Sequence, residues 1–244
     1  MTREVPDRLW IFFAPVACAL MFTRIWHSPE LAAILIISAV LTALLSIAIF
    51  YIGLYGGADA KALICVGLAN PTFPLLMKPL LGSFHPFFPI VVFINSVLCS
   101  LLVLLYVASR NLERWLSSRG SFFNGFEGES FWRKLLAAMC GYKVGFSVLE
   151  DRLYLYPMEK VQEKDGEVER RLRVHFRVEE DRDKLVGVLK EYVGRGIVPS
   201  EVWVTPGIPM IVFFLAGFAL TIVFGDILVY SVLQLLNFLV AVPQ

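Results

Sequence analysis

Charge is what this sequence is short of. Asp, Glu, Lys and Arg make up 18% of its 244 residues, against about 25% in soluble domains, and the 57% apolar share stands above the roughly 45–50% usual there. No such charge occurs from Leu31 to Leu54, and none between Lys61 and Lys78. A spanning helix needs about 20 apolar residues, and several stretches meet that length. Cysteine is scarce too. Cys18, Cys65, Cys99 and Cys140 show no CxxC or Cys/His spacing, which argues against a disulfide framework or a metal site; most fit as small apolar filler. His27, His85 and His175 share no spacing, so no metal or other cofactor is expected. There is no GxxxxGK[ST] phosphate loop and no GxSxG elbow, no internal repeat, and no signal-peptide pattern in MTREVPDRLW.

What is present is a series of apolar segments. They run from about Leu9 to Trp26 with Pro15 inside, Leu31 to Leu54, Asp59 to Leu81 with an interruption at Asn70-Pro71, Pro86 to Ser109, and Pro206 to about Phe224. Gly225-Asp226 then interrupts the last one, and Ile227 to Val242 either continues the helix or lies at the interface. The expected fold class is an α-helical polytopic membrane protein with about five transmembrane helices and a small α+β insert. The expected domains are 1–109, an N-terminal membrane bundle; 110–205, the polar insert; and 206–244, a C-terminal membrane helix and tail.

The insert, Arg110 to Thr205, holds 17 of the 22 Lys+Arg and 16 of the 21 Asp+Glu, so it belongs in water. Phe131, Leu135, Leu136 and Met139 form a helical stripe that Gly141 can stop. Leu172, Val174, Phe176 and Val178 alternate with Arg171, Arg173, His175 and Arg177, the pattern of a half-buried strand. Leu185, Val188, Leu189, Tyr192 and Val193 form a second helical stripe, with Asp181 or Asp183 as N-cap and Gly194 as a stop. Arg170, Arg171, Arg173 and Arg177 read as a solvated strand face, with anionic lipid a secondary ligand and nucleic acid not expected.

Lys and Arg near segment ends set the orientation. Arg3, Arg8, Arg110, Arg114 and Arg119 fall on one side if the N-terminus is inside. The loop Gly56–Lys61 and the insert then face the cytoplasm of a multi-pass plasma-membrane protein. The outer loops keep only Arg24, His27, Glu30, Lys78 and His85.

On that inner side lies YGGADAKALI, Tyr55 to Ile64. A carboxylate at the end of a membrane segment is costly unless it meets water or a protein cavity, so Asp59 is a functional candidate. Gly56 and Gly57 allow positive φ and close backbone approach. The alternative is structural: Asp59 caps the third helix through the amides of Ala60–Ala62. Lys61 either holds the loop, biasing Asp59 toward ionisation, or snorkels to headgroups. Asn95 and Ser96 fit interhelical hydrogen bonding better than substrate contact.

GGADAKAL resembles the GxGDxK motif of the type IV prepilin peptidase and archaeal preflagellin peptidase family of membrane aspartic proteases. Thr2 to Trp10 (TREVPDRLW) is similar to the segment that follows the family's first catalytic aspartate. Phe88 to Val97 (FPIVVFINSV) and Glu201 to Leu220 (EVWVTPGIPMIVFFLAGFAL), the latter followed by Gly225-Asp226, resemble helices of the archaeal branch. The resemblance implies Asp59 as a catalytic carboxylate and Gly56, Gly57, Ala58 and Lys61 as its supporting loop. Its substrates would be prepilins or preflagellins with a basic leader and a hydrophobic segment, cut at the cytoplasmic membrane face. Two carboxyls would share the work, one as base toward water, the other donating to the peptide carbonyl, and titrate as a pair.

Two positions depart from the pattern. Ala58 replaces the second glycine of the motif, so this position must be helical or extended. The family's first aspartate would lie eight residues before the position matching Asp7, ahead of Met1. The expectation is therefore an N-terminally truncated peptidase lacking the family's first helix. Asp7 is a weaker candidate for the second carboxylate, or a polar anchor at a helix start. Asp226 is expected to cap a terminal helix. The alternative function is a catalytically inactive prepilin-binding or pilus-assembly protein of the same fold; a transporter would want more intramembrane charge.

Overall fold

The computed structural model describes residues 5–53, 55–74, 78–117, 121–164, 167–173, 181–207 and 210–241. The chain divides into two units, one of residues 1–100 with 209–244, the other of residues 101–208.

The first unit is helical. It contains α1 (Asp7–His27), α2 (Ala32–Tyr51, preceded by a 3-10 turn at Pro29–Leu31) and α3 (Gly57–Ala69). It also holds the first part of α4 (Phe88–Ser117), then α8 (Met210–Val223) and α9 (Ile227–Ala241). Three helical stretches among the described residues, Asp7–His27, Pro29–Tyr51 and Phe88–Ser117, are long and apolar enough to cross a membrane. The pair α8–α9, bent by 57° between Met210–Val223 and Ile227–Val240, makes a fourth if it is one span. The third expected segment differs: α3 has 13 residues, about 20 Å of helix, and stops at the expected break, with Asn70 as its C-cap. The chain is thus a mostly helical membrane protein with three to four candidate spans.

Helix packing in this unit follows small and polar residues, as expected where burying apolar surface gives no net drive. On α2, Ser38, Thr42 and Ser46 are all fully buried. Ser38 Oγ donates to the Pro71 carbonyl at 2.5 Å, and Thr42 and Ser46 bond back to their own helix. A Cβ on Gly67 would come within 2.8 Å of the Thr42 methyl, so the Thr42 side chain of α2 packs directly on the α3 backbone. Likewise a Cβ on Gly217 of α8 would lie 2.7 Å from the Val92 carbonyl of α4.

The second unit is the α+β insert. After the polar end of α4 come α5 (Phe131–Cys140), β1 (Tyr142–Gly145), α6 (Phe146–Asp151) and β2 (Leu155–Pro157). Next are β3 (Glu159–Lys164), β4 (Glu167–Leu172), α7 (Arg182–Gly194) and β5 (Glu201–Pro206). The strands form an antiparallel sheet of order β1-β5-β2 and a β3-β4 hairpin. Strand β5 is buried on both faces because its side chains alternate. Val202 and Val204 join Leu149, Leu155 and Leu189 in one core; Trp203 joins Phe122, Phe126, Ala137, Met158 and Leu172 in the other. The resemblance takes Glu201 to Leu220 as part of one helix; Glu201–Pro206 is a strand instead, and the helix begins at Met210.

Some local readings hold and others change. Gly141 ends α5 with an extended φ of −142°; its need for glycine is the Val204 carbonyl, 2.6 Å from a Cβ placed there. Asp181 caps α7, accepting from Asp183 N at 3.0 Å, and the left-handed residue after it is Gly196, φ +71°, rather than Gly194. Arg170 is no solvated strand residue. It pairs at 2.6 Å with the fully buried Glu159 carboxylate and lies over the Phe126 ring. Burial pushes the Glu159 carboxyl up, and the Arg170 guanidinium opposes that shift. Of the alternating strand, β4 is described to Leu172; Val174, Phe176 and Val178 lie outside the described residues.

Candidate active site

Between α2 and α3 the chain turns on Gly53, φ +80°. Gly56, the N-cap of α3, is extended (φ −73°, ψ 159°), and Gly57 and Ala58 are already helical. Neither motif glycine uses its left-handed freedom. A Cβ on Gly56 would meet Asp59 Oδ2 at 3.4 Å, and one on Gly57 would meet the Phe50 ring at 3.7 Å, so space alone does not demand glycine.

Asp59 sits at the third position of α3. Its Oδ2 accepts from Gly56 N at 3.2 Å, the carboxylate half of a capping box; Gly56 has no side chain for the other half. The bond runs back to the N-cap, not forward to Ala60–Ala62. Its Oδ1 accepts from Ile211 N at 2.8 Å, in the first turn of α8. The first N–H groups of a helix have no partner within it and carry the positive end of its dipole. One half-buried carboxylate thus serves the starts of two helices. Ile211 is not legible from residue types, because it contributes a backbone N–H and any residue but proline offers one.

Tyr55 stands beside this carboxylate, with its ring 5.7 Å from Phe214 and 6.2 Å from Phe93. Burial, and then the neighbouring Asp59 charge, push its phenol up to about 12, so it stays a neutral hydroxyl. Lys61 and Asp7, both named from the sequence, meet each other: Nζ to Oδ1 is 2.6 Å, with both side chains largely in solvent. The starts of α1, α3 and α8 therefore lie at one end of this unit. The structure brings Asp7 to Lys61; the described partners of the Asp59 carboxylate are backbone amides.

From this end an apolar groove of about 570 Å³ runs between α1, α3 and α8. Trp10, Phe13 and Leu20 line one side, Cys65 of α3 the floor, and Phe214 and Phe218 of α8 the other. Ile211, whose amide binds Asp59, also lines the groove.

The far end of α8 has a different polar cluster. The segment at Leu80–Gly82 pairs with the break between α8 and α9, Leu80 N to Val223 O at 2.9 Å and Leu81 N to Phe224 O at 3.0 Å. Gly225, φ +82°, would place a Cβ 2.9 Å from Pro79. Asn95 bridges helices, donating to Thr221 Oγ1 and the Gly225 carbonyl, both at 2.9 Å, whereas Ser96 bonds to its own helix at Val92. Asp226 directly precedes α9, and its backbone carbonyl accepts from Tyr230 N at 3.0 Å, but its carboxylate binds a different segment. Its Oδ2 accepts from Phe84 N at 2.9 Å and His85 N at 2.6 Å.

Comparison with known proteins covers most of the chain. Residues 1–104 match the Type IV leader peptidase family, and residues 133–227 match the Archaeal Peptidase A24 C-terminus Type II. The chain is 26% identical over 237 residues to a preflagellin peptidase of Methanococcus maripaludis, covering 92% of this chain and 87% of that one.

Proposed function

The chain belongs to the type IV leader peptidase family, and from that premise we propose that it is an aspartic endopeptidase which removes the leader of archaeal prepilins or preflagellins. Asp59 is its catalytic carboxylate. The observation that carries this reading is the shared residue Ile211. Its amide fixes Asp59, and its side chain begins an apolar groove suited to the hydrophobic segment of such a substrate.

Burial pushes the Asp59 carboxyl up, and the amide hydrogen bonds from Ile211 and Gly56 oppose that shift; a carboxylate whose proton affinity is raised in this way is suited to take a proton from water. In the reaction the water oxygen bonds to the scissile carbonyl carbon and its proton passes to Asp59. A second carboxyl donates to the carbonyl oxygen; the C–N bond then breaks, and the amine leaves with a proton. Asp7 is the weaker candidate for that second carboxyl within this sequence. Gly56, Gly57 and Ala58 form the backbone that presents Asp59. Lys61, through its ion pair with Asp7, ties α3 to α1 beside it. Arg-rich flanks put this end of the bundle, and the insert, in the cytoplasm of a plasma-membrane protein.

The test is cleavage of a membrane-embedded prepilin by this protein and by its Asp59→Asn variant. Loss of a general acid–base group should lower turnover by about 10²–10⁴-fold; full turnover by the variant sinks the assignment. The pairing of Asp7 with Lys61 favours a second reading, a non-catalytic prepilin-binding protein using the same groove. It requires that Asp59→Asn leave prepilin binding intact and that no cleavage occur in either form.

A further inference from the structure

The insert carries an arginine cluster that leader cleavage does not use. Arg110, Arg114 and Arg152 line a cavity of about 360 Å³ together with Tyr106, Asn111 and Tyr142, and no Asp or Glu lines it. Tyr106, Arg110 and Arg114 recur every four residues, so they share one face of α4. The Asn111 amide fixes that helix as a wall, donating to the carbonyls of Ala138 at 2.7 Å and Gly141 at 2.5 Å.

The guanidinium groups have only neutral partners here. Arg110 contacts the Tyr106 hydroxyl at 3.4 Å, Arg114 donates to the Lys143 carbonyl at 3.1 Å, and Arg152 donates to the Tyr154 hydroxyl at 2.7 Å. Among the described residues no ion pair satisfies any of the three; Glu113, three residues from Arg110, acts on it only through space. A guanidinium has five N–H donors, so most of these are free to bind an anion.

The position of the cavity says which anion. The 22 residues from Phe88 to Ser109 of α4 contain no Asp, Glu, Lys or Arg. At 1.5 Å per residue they span about 33 Å, close to the roughly 30 Å of a hydrocarbon core. Arg110 is the first charge beyond them, at the depth of lipid headgroups. Tyrosine is suited to that layer, with an apolar ring and a polar tip. Guanidinium groups match phosphate oxygens in a forked geometry. A basic peptide leader would be repelled by the same cluster.

We propose that this cavity binds the phosphate of an anionic lipid headgroup. The site is separate from Asp59 and does not depend on the catalytic reading. The test uses the full chain in a neutral detergent, with binding of short-chain phosphatidylglycerol, short-chain phosphatidylcholine and inorganic phosphate each titrated. Near an anionic surface each arginine contributes about a fivefold effect. Arg110→Gln with Arg114→Gln and Arg152→Gln should therefore weaken phosphatidylglycerol binding about a hundredfold. Phosphatidylcholine should bind weakly and alike to both proteins. Arg171→Gln, an exposed arginine elsewhere on the insert, should leave phosphatidylglycerol binding unchanged. Should the triple variant fail to fold, Arg110→Gln alone removes one exposed side chain and should still show about a fivefold loss. Equal phosphatidylglycerol binding by the variants and the parent overturns the site. Inorganic phosphate as potent as phosphatidylglycerol overturns the lipid assignment in favour of a free phosphate ion.

Discussion

Two aspartates stand at opposite ends of α8, and each accepts two backbone N–H groups. Asp59, at the start of the helix, divides them between its oxygens, Ile211 N on one and Gly56 N on the other. Asp226, past the far end, takes Phe84 N and His85 N on the same oxygen. Their hydrogen bonding alone does not separate a reacting carboxylate from a structural one. Their surroundings do. Asp226 is 2% exposed and closed in by the Leu80–Gly82 segment, whereas Asp59 is half-buried and shares Ile211 with an open groove. A carboxylate sealed among amides can only hold a loop; one with an approach beside it can meet a substrate.

The largest effect expected from this contrast is a split between activity and stability. Asp59→Asn should lower prepilin cleavage by at least about a hundredfold while the protein still folds, because an asparagine keeps one acceptor for the helix amides. Asp226→Ala should do the reverse. It leaves two part-buried N–H groups without their acceptor, a cost on the order of 1–2 kcal/mol, and should leave cleavage per folded molecule close to normal. Thermal unfolding in detergent alongside the cleavage assay reads both. Activity that follows Asp226 and survives loss of Asp59 would invert the assignment of the two residues.

How much of this contrast was legible beforehand depends on what each residue contributes. Asp59 stood out because a lone carboxylate among apolar runs is conspicuous, and the helix break at Asn70-Pro71 was legible because proline at that point ends a pattern. Asp226 reads as a helix cap, but its carboxylate instead binds Phe84 N and His85 N; these partners were not legible, because backbone amides leave no mark in side-chain chemistry. The same reason hid Ile211. In the insert, the helices α5 and α7 were readable from their period, but the buried faces were not: on α5 Phe131, Leu135 and Leu136 are exposed and Ala137 is buried, and on α7 Val188 is exposed while Val186 and Leu189 are buried. Strand β5 was not readable, because a strand buried on both faces shows no alternation of apolar and polar residues. Arg170 was misread because an arginine's side chain shows its solvated or buried state only once Glu159 is placed opposite it.

A smaller effect tests whether α8 couples the two ends. Its 14 residues span about 21 Å, and Gly217 lies between the Asp59 and Asp226 contacts. A methyl there would sit 2.6 Å from Ser96 N and 2.7 Å from Val92 O, so Gly217→Ala must push α8 from α4. Overpacking of this kind costs about 1–3 kcal/mol. If α8 is the ruler that positions Ile211 over Asp59, cleavage should fall along with the melting temperature. A drop in stability with full activity in the folded fraction would mean that the Asp59 end adjusts independently of the far end.

The smallest effect belongs to the ion pair nearest the catalytic candidate. Lys61 and Asp7 approach to 2.6 Å, yet their side chains are 46% and 79% exposed. Solvent and salt screen such pairs, and holding two mobile side chains together costs entropy, so the coupling should be under about 1 kcal/mol. A double-mutant cycle of Lys61→Met and Asp7→Asn, read by thermal unfolding, measures it directly. The same variants separate two roles for Asp7. As a tether, Asp7→Asn should change cleavage no more than Lys61→Met does, and the double variant should add little. As the second carboxylate, Asp7→Asn should instead match Asp59→Asn in severity, since neither member of a proton-sharing pair can do both halves of the work.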